Sequence, residues 1–317
     1  MFIYLSLLLL SLAILYFGAD FLVKGSSSLA LKAGIPPLIV GLTVVSLGTS
    51  SPELVVSIKA ALSGQSEIAA GNVIGSNIFN IGMILGICAL VAPLYITRSI
   101  IKQDMPFMIF GAILLPFFFM DGTITRWESG LFCLGAIVYT LLLVRNAQKE
   151  KKSNLENPDK EIKESKPKTN WMLDTFFVLL GLGLLIGGSS LLVDNATKIA
   201  RLLGMSEAVI GLTIVAAGTG TPELATSIVA TLKGNKDIAI GNVVGSNIYN
   251  VLLVLGISSM IKPISTTGIS PVDTYVMLGF SLLLLPLMRT GYVLKRWEGG
   301  LMLCLYIIYL LYLIGII

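Results

Sequence analysis

Long apolar stretches recur along the whole chain and are separated by short polar segments. A helix needs about 20 mostly apolar residues to cross a hydrocarbon core roughly 30 Å thick. Stretches of that length, several of them interrupted by Gly, Ser, Thr or Asn, predict ten transmembrane helices. Their approximate bounds are residues 2–31, 36–63, 66–91, 104–120, 126–145, 171–201, 206–233, 236–261, 271–289 and 297–316.

The composition agrees with a polytopic membrane protein. Of the 317 residues, 55% are hydrophobic and 13% are charged, and the mean hydropathy is +0.88. Because soluble domains carry about a quarter charged residues, an ordinary soluble enzyme, a disordered chain and a nucleic-acid-binding protein are excluded. The chain has no histidine, which excludes histidine metal sites and Ser–His or Cys–His catalytic pairs. The three cysteines lie in apolar runs and predict no disulfide framework.

The basic residues are unevenly distributed around the predicted helices. Residues 146–170 contain seven lysines and five acidic residues, a composition that predicts a flexible linker. If this linker lies in the cytoplasm, 16 basic residues fall on that side of the membrane and 4 on the other. Because basic residues are enriched in cytoplasmic loops, we expect a multi-pass protein of the cell membrane with both termini outside and the linker inside.

The chain contains an internal repeat. A shift of 170 positions aligns residues 41–86 with residues 211–256 without a gap, and 26 of these 46 residues are identical. The same shift brings the Arg-Trp-Glu sequence at 126–128 onto that at 296–298. An alignment of this length in a single register indicates duplication of the whole five-helix unit.

The repeat predicts the architecture. The chain divides into a first repeat of five helices (1–145), the charged linker (146–170) and a second repeat of five helices (171–317). Because five is odd, the second repeat must cross the membrane in the opposite direction to the first. We therefore expect an all-α membrane protein with two inverted-topology repeats. This plan is typical of secondary transporters, which bind their substrate near mid-membrane where the repeats meet.

Two predicted helices carry a glutamate at the middle of the membrane. Glu53 follows Gly-Thr-Ser-Ser-Pro, and Glu223 follows Gly-Thr-Gly-Thr-Pro 170 positions later. A charge at this depth costs about 2.5–3.5 kcal/mol, which favours a functional role. Pro52 and Pro222 have no N–H and should break their helices, which frees carbonyl oxygens near the carboxylates. Such hard oxygen donors favour Na⁺ or Ca²⁺ over softer transition metals.

A polar stripe runs along the next helix of each repeat. It recurs every four residues and comprises Asn72, Ser76, Asn80, Asn242, Ser246 and Asn250. The members nearest the bilayer centre are predicted to bind ions; these are Ser76, Asn80, Ser246 and Asn250. The other asparagines, Asn72, Asn77, Asn242 and Asn247, are assigned to helix packing through amide hydrogen bonds. Helices 2, 3, 7 and 8 are therefore expected to be broken and to lie at the centre.

The sequences around these residues resemble the α-repeats of the sodium/calcium exchanger family. The first reads Gly-Thr-Ser-Ser-Pro-Glu…Gly-Asn-Val-Ile-Gly-Ser-Asn-Ile-Phe-Asn, and the second reads Gly-Thr-Gly-Thr-Pro-Glu…Gly-Asn-Val-Val-Gly-Ser-Asn-Ile-Tyr-Asn. The similarity extends over the ten-helix layout with its central linker. It is greatest to the compact prokaryotic members of the family.

This resemblance implies an electrogenic antiporter that exchanges Na⁺ for Ca²⁺ by alternating access, without a cofactor and as a monomer. The first helix of each repeat is expected to slide against the remaining helices. A central Ca²⁺ site is implied, formed by Glu53, Glu223 and the backbone carbonyls of Thr49 and Thr219. Flanking Na⁺ sites are implied at Ser46, Ser50, Ser76, Ala216 and Ser246, with Asn80 at the centre.

Two positions depart from the family pattern. Gly220 stands where the pattern carries a serine, so one hydroxyl ligand is missing and Thr221 or water would have to replace it. Asn250 stands where archaeal relatives place an aspartate, which leaves two carboxylates and two carboxamides. Potassium-dependent members, which carry an aspartate in this motif, resemble the chain less. Proton/calcium members usually place a glutamate where this chain has Gly75 and Gly245.

Other functions remain open at this point. A Ca²⁺/H⁺ antiporter could use Glu53 and Glu223 as proton carriers, and a cation channel could be lined by the same oxygens. An intramembrane hydrolase is disfavoured because the sequence has no histidine, no Gly-x-Gly-Asp motif and no convincing Ser–Lys pair. We therefore expect a transporter and not an enzyme.

Overall fold

The computed structural model describes residues 2–156, 170–202 and 210–316, and in these ranges the chain is almost entirely helical. Adjoining helical segments are treated as one helix and numbered in chain order. They are Phe2–Ala33 (α1), Pro37–Leu62 (α2), Ser66–Val91 (α3), Ile100–Phe118 (α4), Arg126–Glu156 (α5), Trp171–Leu202 (α6), 211–232 (α7), Lys236–Ile261 (α8), Pro271–Arg289 (α9) and Arg296–Leu313 (α10). Eight helices in the described ranges are long and apolar enough to cross a membrane. The predicted all-α membrane fold is confirmed.

Two helix boundaries differ from the prediction. α5 continues to Glu156, so the beginning of the charged segment is helical, because Lys, Glu and Gln are good helix formers. α4 begins at Ile100, earlier than expected, with a π-helical segment over Ile100–Asp104. The remainder of the predicted linker, 157–169, and the start of the predicted seventh helix, 203–209, lie outside the described residues.

α2 and α7 are interrupted at matching positions. In α2 the helix ends at Thr49 and resumes at Ser51, and Ser50 between them has φ −80° and ψ 5°. In α7 Gly220 occupies the same place with φ −76° and ψ 0°. Proline follows each interruption as the second residue of the new segment and cannot donate a hydrogen bond back into the preceding turn. The predicted breaks at the Gly-Thr pairs are confirmed.

π-helical segments also occur at matching places in the two repeats. They are Gly41–Val45, Asn80–Leu85, Gly211–Val215 and Asn250–Leu255. π-helical turns are rare and occur frequently at functional sites. The interruptions expected in helices 3 and 8 therefore take the form of π-helical turns, which begin at the two predicted ligands Asn80 and Asn250.

Two short antiparallel strand pairs join the repeats at opposite faces of the bundle. β1 (Leu94–Tyr95) pairs with β4 (Val293–Leu294), and β2 (Thr123–Ile124) pairs with β3 (Ile264–Ser265). A shift of 170 positions carries β1 onto β3 and β2 onto β4, so β3 is the equivalent of β1 in the second repeat and β4 is the equivalent of β2. Each pair therefore joins a strand of one repeat to the other type of strand from the second repeat. This is the arrangement that two oppositely inserted repeats produce. We call the face with β1 and β4 the linker face, because α5 ends and α6 begins there.

The helices that carry the polar motifs form the centre of the bundle. α3 and α8 are almost completely buried, and each packs closely on a helix of the other repeat. A Cβ at Gly75 of α3 would lie 2.5 Å from the carbonyl oxygen of Leu212 in α7, and a Cβ at Gly241 of α8 would lie 2.7 Å from that of Leu38 in α2. Glycine permits this approach between membrane helices, so the two repeats share one core.

The first helices of the two repeats, α1 and α6, pack against each other along their length. A Cβ at Gly181 would lie 2.6 Å from the backbone nitrogen of Leu22. Near the linker face Lys32 of α1 forms an ion pair with Asp174 of α6, which also accepts a hydrogen bond of 2.8 Å from Ser28. Close backbone contact and a buried ion pair therefore join these helices into one unit.

Candidate ion-binding site

Two buried carboxyl groups face each other at the centre of the bundle. Glu53 and Glu223 are 1% and 0% exposed, and each lies in the first turn after the break in its helix. The two groups are close enough to repel each other when both are charged. Their Oε2 atoms have no hydrogen-bond partner among the described residues. The predicted convergence of one acid from each repeat is therefore present.

The hydroxyl groups around the two carboxylates are unequal. Ser50 and Ser246 donate to Oε1 of Glu223 over 2.9 and 3.2 Å. At the equivalent positions around Glu53 stand Gly220, which has no hydroxyl, and Ser76, whose Oγ is buried without a partner in the described part of the chain. The missing serine at 220 thus removes a hydrogen bond from one half of the site only.

Space around Gly220 is limited. A Cβ there would lie 3.0 Å from the carbonyl oxygen of Ala216 and 3.0 Å from Cδ1 of Phe79. The ring of Phe79 therefore occupies part of the volume that a serine side chain at this position would need. Thr221, the expected substitute for the missing hydroxyl, donates to the carbonyl oxygen of Ala217 over 2.8 Å.

A symmetric network of hydrogen bonds connects the two repeats beside the glutamates. It is formed by Thr49, Thr219, Asn72 and Asn242. Thr49 donates to Asn242 over 2.9 Å, and Thr219 donates to Asn72 over 3.0 Å. Asn72 donates to the carbonyl oxygen of Glu53 over 3.3 Å, and Asn242 does the same to that of Glu223. Each glutamate is therefore held at its backbone by a side chain that also binds the opposite repeat.

The asparagines at the start of the π-helical segments are held in the same crossed manner. Asn80 donates from Nδ2 to Oδ1 of Asn247 over 3.2 Å, and Asn250 donates to Oδ1 of Asn77 over 3.1 Å. The Oδ1 atoms of Asn80 and Asn250 have no partner within the described ranges. Both amide groups are therefore engaged through nitrogen and retain an oxygen with unused acceptor capacity.

The unpaired buried oxygens fit an alkali or alkaline-earth cation. Burying a polar group without a partner is costly. All four carboxylate and amide oxygens left unpaired among the described residues belong to Glu53, Glu223, Asn80 and Asn250, although several unpaired hydroxyls lie elsewhere. A set made only of oxygens is typical of Ca²⁺ and Na⁺ sites. No group of three or more His, Cys, Asp or Glu side chains that could hold a metal occurs in the described ranges.

The remaining predicted ligands lie in the same region. Ser46 is buried, and a Cβ at Gly245 would lie 2.7 Å from its Oγ. Ala216 is buried and could contribute only its carbonyl oxygen, which accepts from the backbone nitrogen of Gly220 over 2.9 Å. The Thr49 side chain lies beside Glu223, and that of Thr219 beside Glu53. The structure therefore brings Thr49, Thr219, Ser50 and Ser246 to the two glutamates, and the other predicted positions are buried on the same central helices.

One residue near the site escaped the sequence analysis. Ser189 of α6 donates over 3.0 Å to the carbonyl oxygen of Gly218. The usual helical donor to this carbonyl, four residues further on, is missing because residue 222 is a proline and has no N–H. Ala19 occupies the equivalent position in α1, so the repeat alignment gave no signal for this contact. The asparagines at 72, 77, 242 and 247 were assigned to packing, although their exact recurrence after 170 positions was visible.

A buried, oxygen-only site between two inverted repeats is typical of secondary transporters of cations. The family model described as sodium/calcium exchanger protein matches residues 3–145 and 173–315. The putative antiporter CaxA of Alkalimonas amylolytica is 39% identical over 95% of both chains. The sodium/calcium exchanger MaX1 of Methanosarcina acetivorans is 36% identical over 97% of both chains. A solved structure of the sodium-calcium exchanger NCX_Mj matches with a TM-score of 0.80 and 31% identity over 98% of both chains.

The chain therefore belongs to the sodium/calcium exchanger family. It is a multi-pass membrane antiporter of cations and not an enzyme, and its family transports Na⁺ and Ca²⁺ without a cofactor.

Proposed function

We propose that this protein exchanges Na⁺ for Ca²⁺ across the cell membrane and binds both ions at the site between Glu53 and Glu223. One observation carries the proposal. Two carboxylates are buried together, and neither forms an ion pair with any described residue. Buried charges require compensation, and a cation held between the repeats supplies it.

The charge of the site favours binding of either Ca²⁺ or Na⁺, but not of both at the same time. Two carboxylates balance one Ca²⁺, and several Na⁺ ions distributed over the same oxygens would balance the same charge. Shared ligands and like-charge repulsion, which is large at low dielectric, then prevent Ca²⁺ and Na⁺ from binding together. An empty site would leave both carboxylates uncompensated and should resist the change between outward and inward states. This resistance couples the two fluxes, and an exchange of three or more Na⁺ for one Ca²⁺ would make transport electrogenic.

Sodium is favoured over protons as the counter-ion by the neutral ligands. Proton exchange needs only groups that titrate, whereas Asn80, Asn250, Ser76 and Ser246 do not titrate near neutral pH. Their oxygens nevertheless lie buried at the site, and three of these four residues have an unpaired oxygen in the part of the chain that is described. Oxygens of this kind serve metal ions.

We also propose the orientation and the functional unit. Both termini lie outside the cell, and the linker face is cytoplasmic, because basic residues concentrate there. Arg98 and Lys236, for example, lie over the rings of Tyr292 and Tyr95 at the β1–β4 pair. The units are 1–145, 146–170 and 171–317. A single chain contributes both halves of the site, which supports transport by a monomer.

The decisive experiment measures Ca²⁺ flux into proteoliposomes under an imposed Na⁺ gradient with pH clamped. Glu53→Gln and Glu223→Gln should each abolish the flux, because each removes one of the two balancing charges. Glu128→Gln makes the same chemical change at the start of α5 and should retain wild-type flux. Full flux in either site variant contradicts the proposal.

The same preparation separates the alternatives. Calcium flux that follows a pH gradient and ignores a Na⁺ gradient would identify a Ca²⁺/H⁺ antiporter. Conduction of Ca²⁺ without any counter-ion and without saturation would identify a channel. A voltage-dependent, saturable flux that requires Na⁺ on the opposite side is the expected result.

A further inference from the structure

Two asparagines next to the ion site were assigned to packing by their sequence context, yet they occupy a particular place. Asn77 and Asn247 are 4% and 1% exposed, and each lies three residues before a predicted ligand. They recur exactly 170 positions apart. Neither has a predicted role in ion binding.

Their hydrogen bonds cross between the repeats. Oδ1 of Asn77 accepts from Asn250 over 3.1 Å, and Oδ1 of Asn247 accepts from Asn80 over 3.2 Å. A carboxamide has one donating end and one accepting end. When its nitrogen is held, the direction of its oxygen is set as well. Asn77 and Asn247 therefore determine where the free oxygens of Asn250 and Asn80 point.

The side-chain amide orientations of Asn77 and Asn247 are themselves fixed. Nδ2 of Asn77 lies 3.7 Å from the sulfur of Met277, and Nδ2 of Asn247 lies 3.8 Å from that of Met108. A thioether accepts weakly and cannot donate, so the nitrogen end of each amide faces the sulfur. Asn77 also donates to the backbone oxygen of Asn247 over 3.3 Å. The Oδ1 atoms of Asn77 and Asn247 therefore face the amide nitrogens of Asn250 and Asn80.

We propose that Asn77 and Asn247 are positioning residues that turn the carboxamide oxygens of Asn250 and Asn80 toward the transported ions. Each acts on a ligand of the opposite repeat, so ligand geometry depends on the contact between the repeats. The inference rests on the proposed ion site and adds to it the groups that make two neutral ligands effective.

A double-mutant cycle tests this role. Asn77→Leu removes the acceptor at nearly constant volume and should raise the KM for Ca²⁺ about tenfold, the effect expected from losing one buried hydrogen bond. In an Asn250→Ala background, the same substitution should change KM less than twofold, because no amide is left to orient. In an Asn80→Ala background it should keep its full effect, since Asn247 holds that side chain. Asn247→Leu should couple to Asn80→Ala in the mirrored cycle.

Controls separate positioning from general damage. Ser259→Ala removes a buried hydroxyl that Ser129 contacts over 2.7 Å, away from the site, and should leave the KM for Ca²⁺ unchanged in every background. If Asn77→Leu does not fold, Asn77→Ala replaces it in the same cycle, with thermal unfolding in detergent measured for each variant.

The outcomes distinguish this inference from the proposed function. Equal increases in KM in the wild-type and Asn250→Ala backgrounds, or no increase in the wild type, overturn the positioning role. In either case a wild-type flux that needs Na⁺ and is lost in Glu53→Gln leaves the proposed function intact. A wild-type protein without Na⁺-driven flux overturns the function itself.

Discussion

Two of the four carboxylate and amide side chains that we propose as ligands are neutral, and their neutrality has a measurable consequence. Asn80 and Asn250 contribute oxygens without charge, so only Glu53 and Glu223 can bind protons among these four residues. The net charge of the site therefore depends on two groups. A third carboxylate would change both the charge and the competition between protons and cations.

Asn250→Asp should make transport more sensitive to acid. At neutral pH the new carboxylate adds a negative charge, whereas at low pH it binds a proton that competes with Ca²⁺ and Na⁺. We expect Ca²⁺ flux to fall more steeply between pH 7 and pH 5 than in the wild type, measured in proteoliposomes with equal pH on both sides. Identical pH profiles would argue against Asn250 as part of the site.

The sequence alone was sufficient to identify the residues whose chemistry is unusual in a membrane. Glu53 and Glu223 stood out because buried charge is costly, and the period of four led to the prediction of Asn80 and Asn250 as ligands. Asn77 and Asn247 could not be distinguished from packing residues, since their role depends on which end of an amide faces which neighbour across the repeats. That information exists only once the helices are assembled.

At the scale of helices, the contact between α1 and α6 depends on glycines that differ in their surroundings. A Cβ at Gly181 would collide with the backbone of Leu22, and one at Gly18 would lie 3.0 Å from the carbonyl oxygen of Gly181. Gly183 is two residues away on the same helix and has open space around it. This contrast provides a matched pair for testing whether close contact of the two helices matters.

Gly181→Ala should slow exchange at least tenfold while leaving the KM for Ca²⁺ within about twofold of wild type, because the helices are forced apart but the ion ligands are not touched. Gly183→Ala should retain full exchange, and alanine in a helix interior should raise stability by up to about 1 kcal/mol. Initial rates in proteoliposomes provide the comparison. Equal rates in the two variants would show that tight contact between α1 and α6 is dispensable.

Asp174→Asn should destabilise the protein by more than about 1 kcal/mol, because it removes a buried negative charge that faces the Lys32 ammonium. The side chains of Lys32 and Asp174 are 9% and 2% exposed. Lys24→Gln breaks an ion pair with Asp20 in which the lysine is 56% exposed, and it should cost less than about 1 kcal/mol. Thermal unfolding in detergent measures both changes. Similar melting temperatures for the two variants would contradict this assignment.

The positions of the helices were largely predictable, because the length of an apolar stretch shows directly whether it can cross a membrane. The local backbone geometry within each helix was less predictable. The breaks in α2 and α7 followed from Pro52 and Pro222. The π-helical turns at Asn80 and Asn250 have no local sequence signal, because contacts from the other repeat decide whether one extra residue fits. The extension of α5 to Glu156 was missed for another reason: charge indicated a linker, while helix propensity prevailed.

At the scale of the whole molecule, the strand pairs fix the relation between the repeats. β1 with β4 closes the linker face and β2 with β3 closes the opposite face, and each pair contains one strand from each repeat. The helices that these strands connect are therefore tied together at both faces. Among the described helices, four are not joined to a strand of these pairs: α1, α2, α6 and α7. The helices expected to slide, α1 and α6, are therefore among those that the strand pairs do not tie.

Membrane-impermeant maleimide should report the two faces. In a variant without Cys88, Cys133 and Cys304, Thr267→Cys next to β3 should be labelled in intact cells. Tyr95→Cys in β1 should be labelled only after permeabilisation, because the linker face is proposed to be cytoplasmic. Both positions are exposed. Reversal of this pattern would place both termini inside the cell.

The hydrogen bond from Ser50 to Glu223 has no counterpart at Gly220, and this difference bears on the resting state of the cycle. If the two repeats were identical, exchanging their roles would convert the outward-facing conformation into the inward-facing one at equal free energy. An unmatched hydrogen bond of about 1 kcal/mol makes the two conformations differ in free energy, and one of them is then populated roughly fivefold more than the other. A duplicated protein can thus acquire a preferred direction of opening from a single lost hydroxyl.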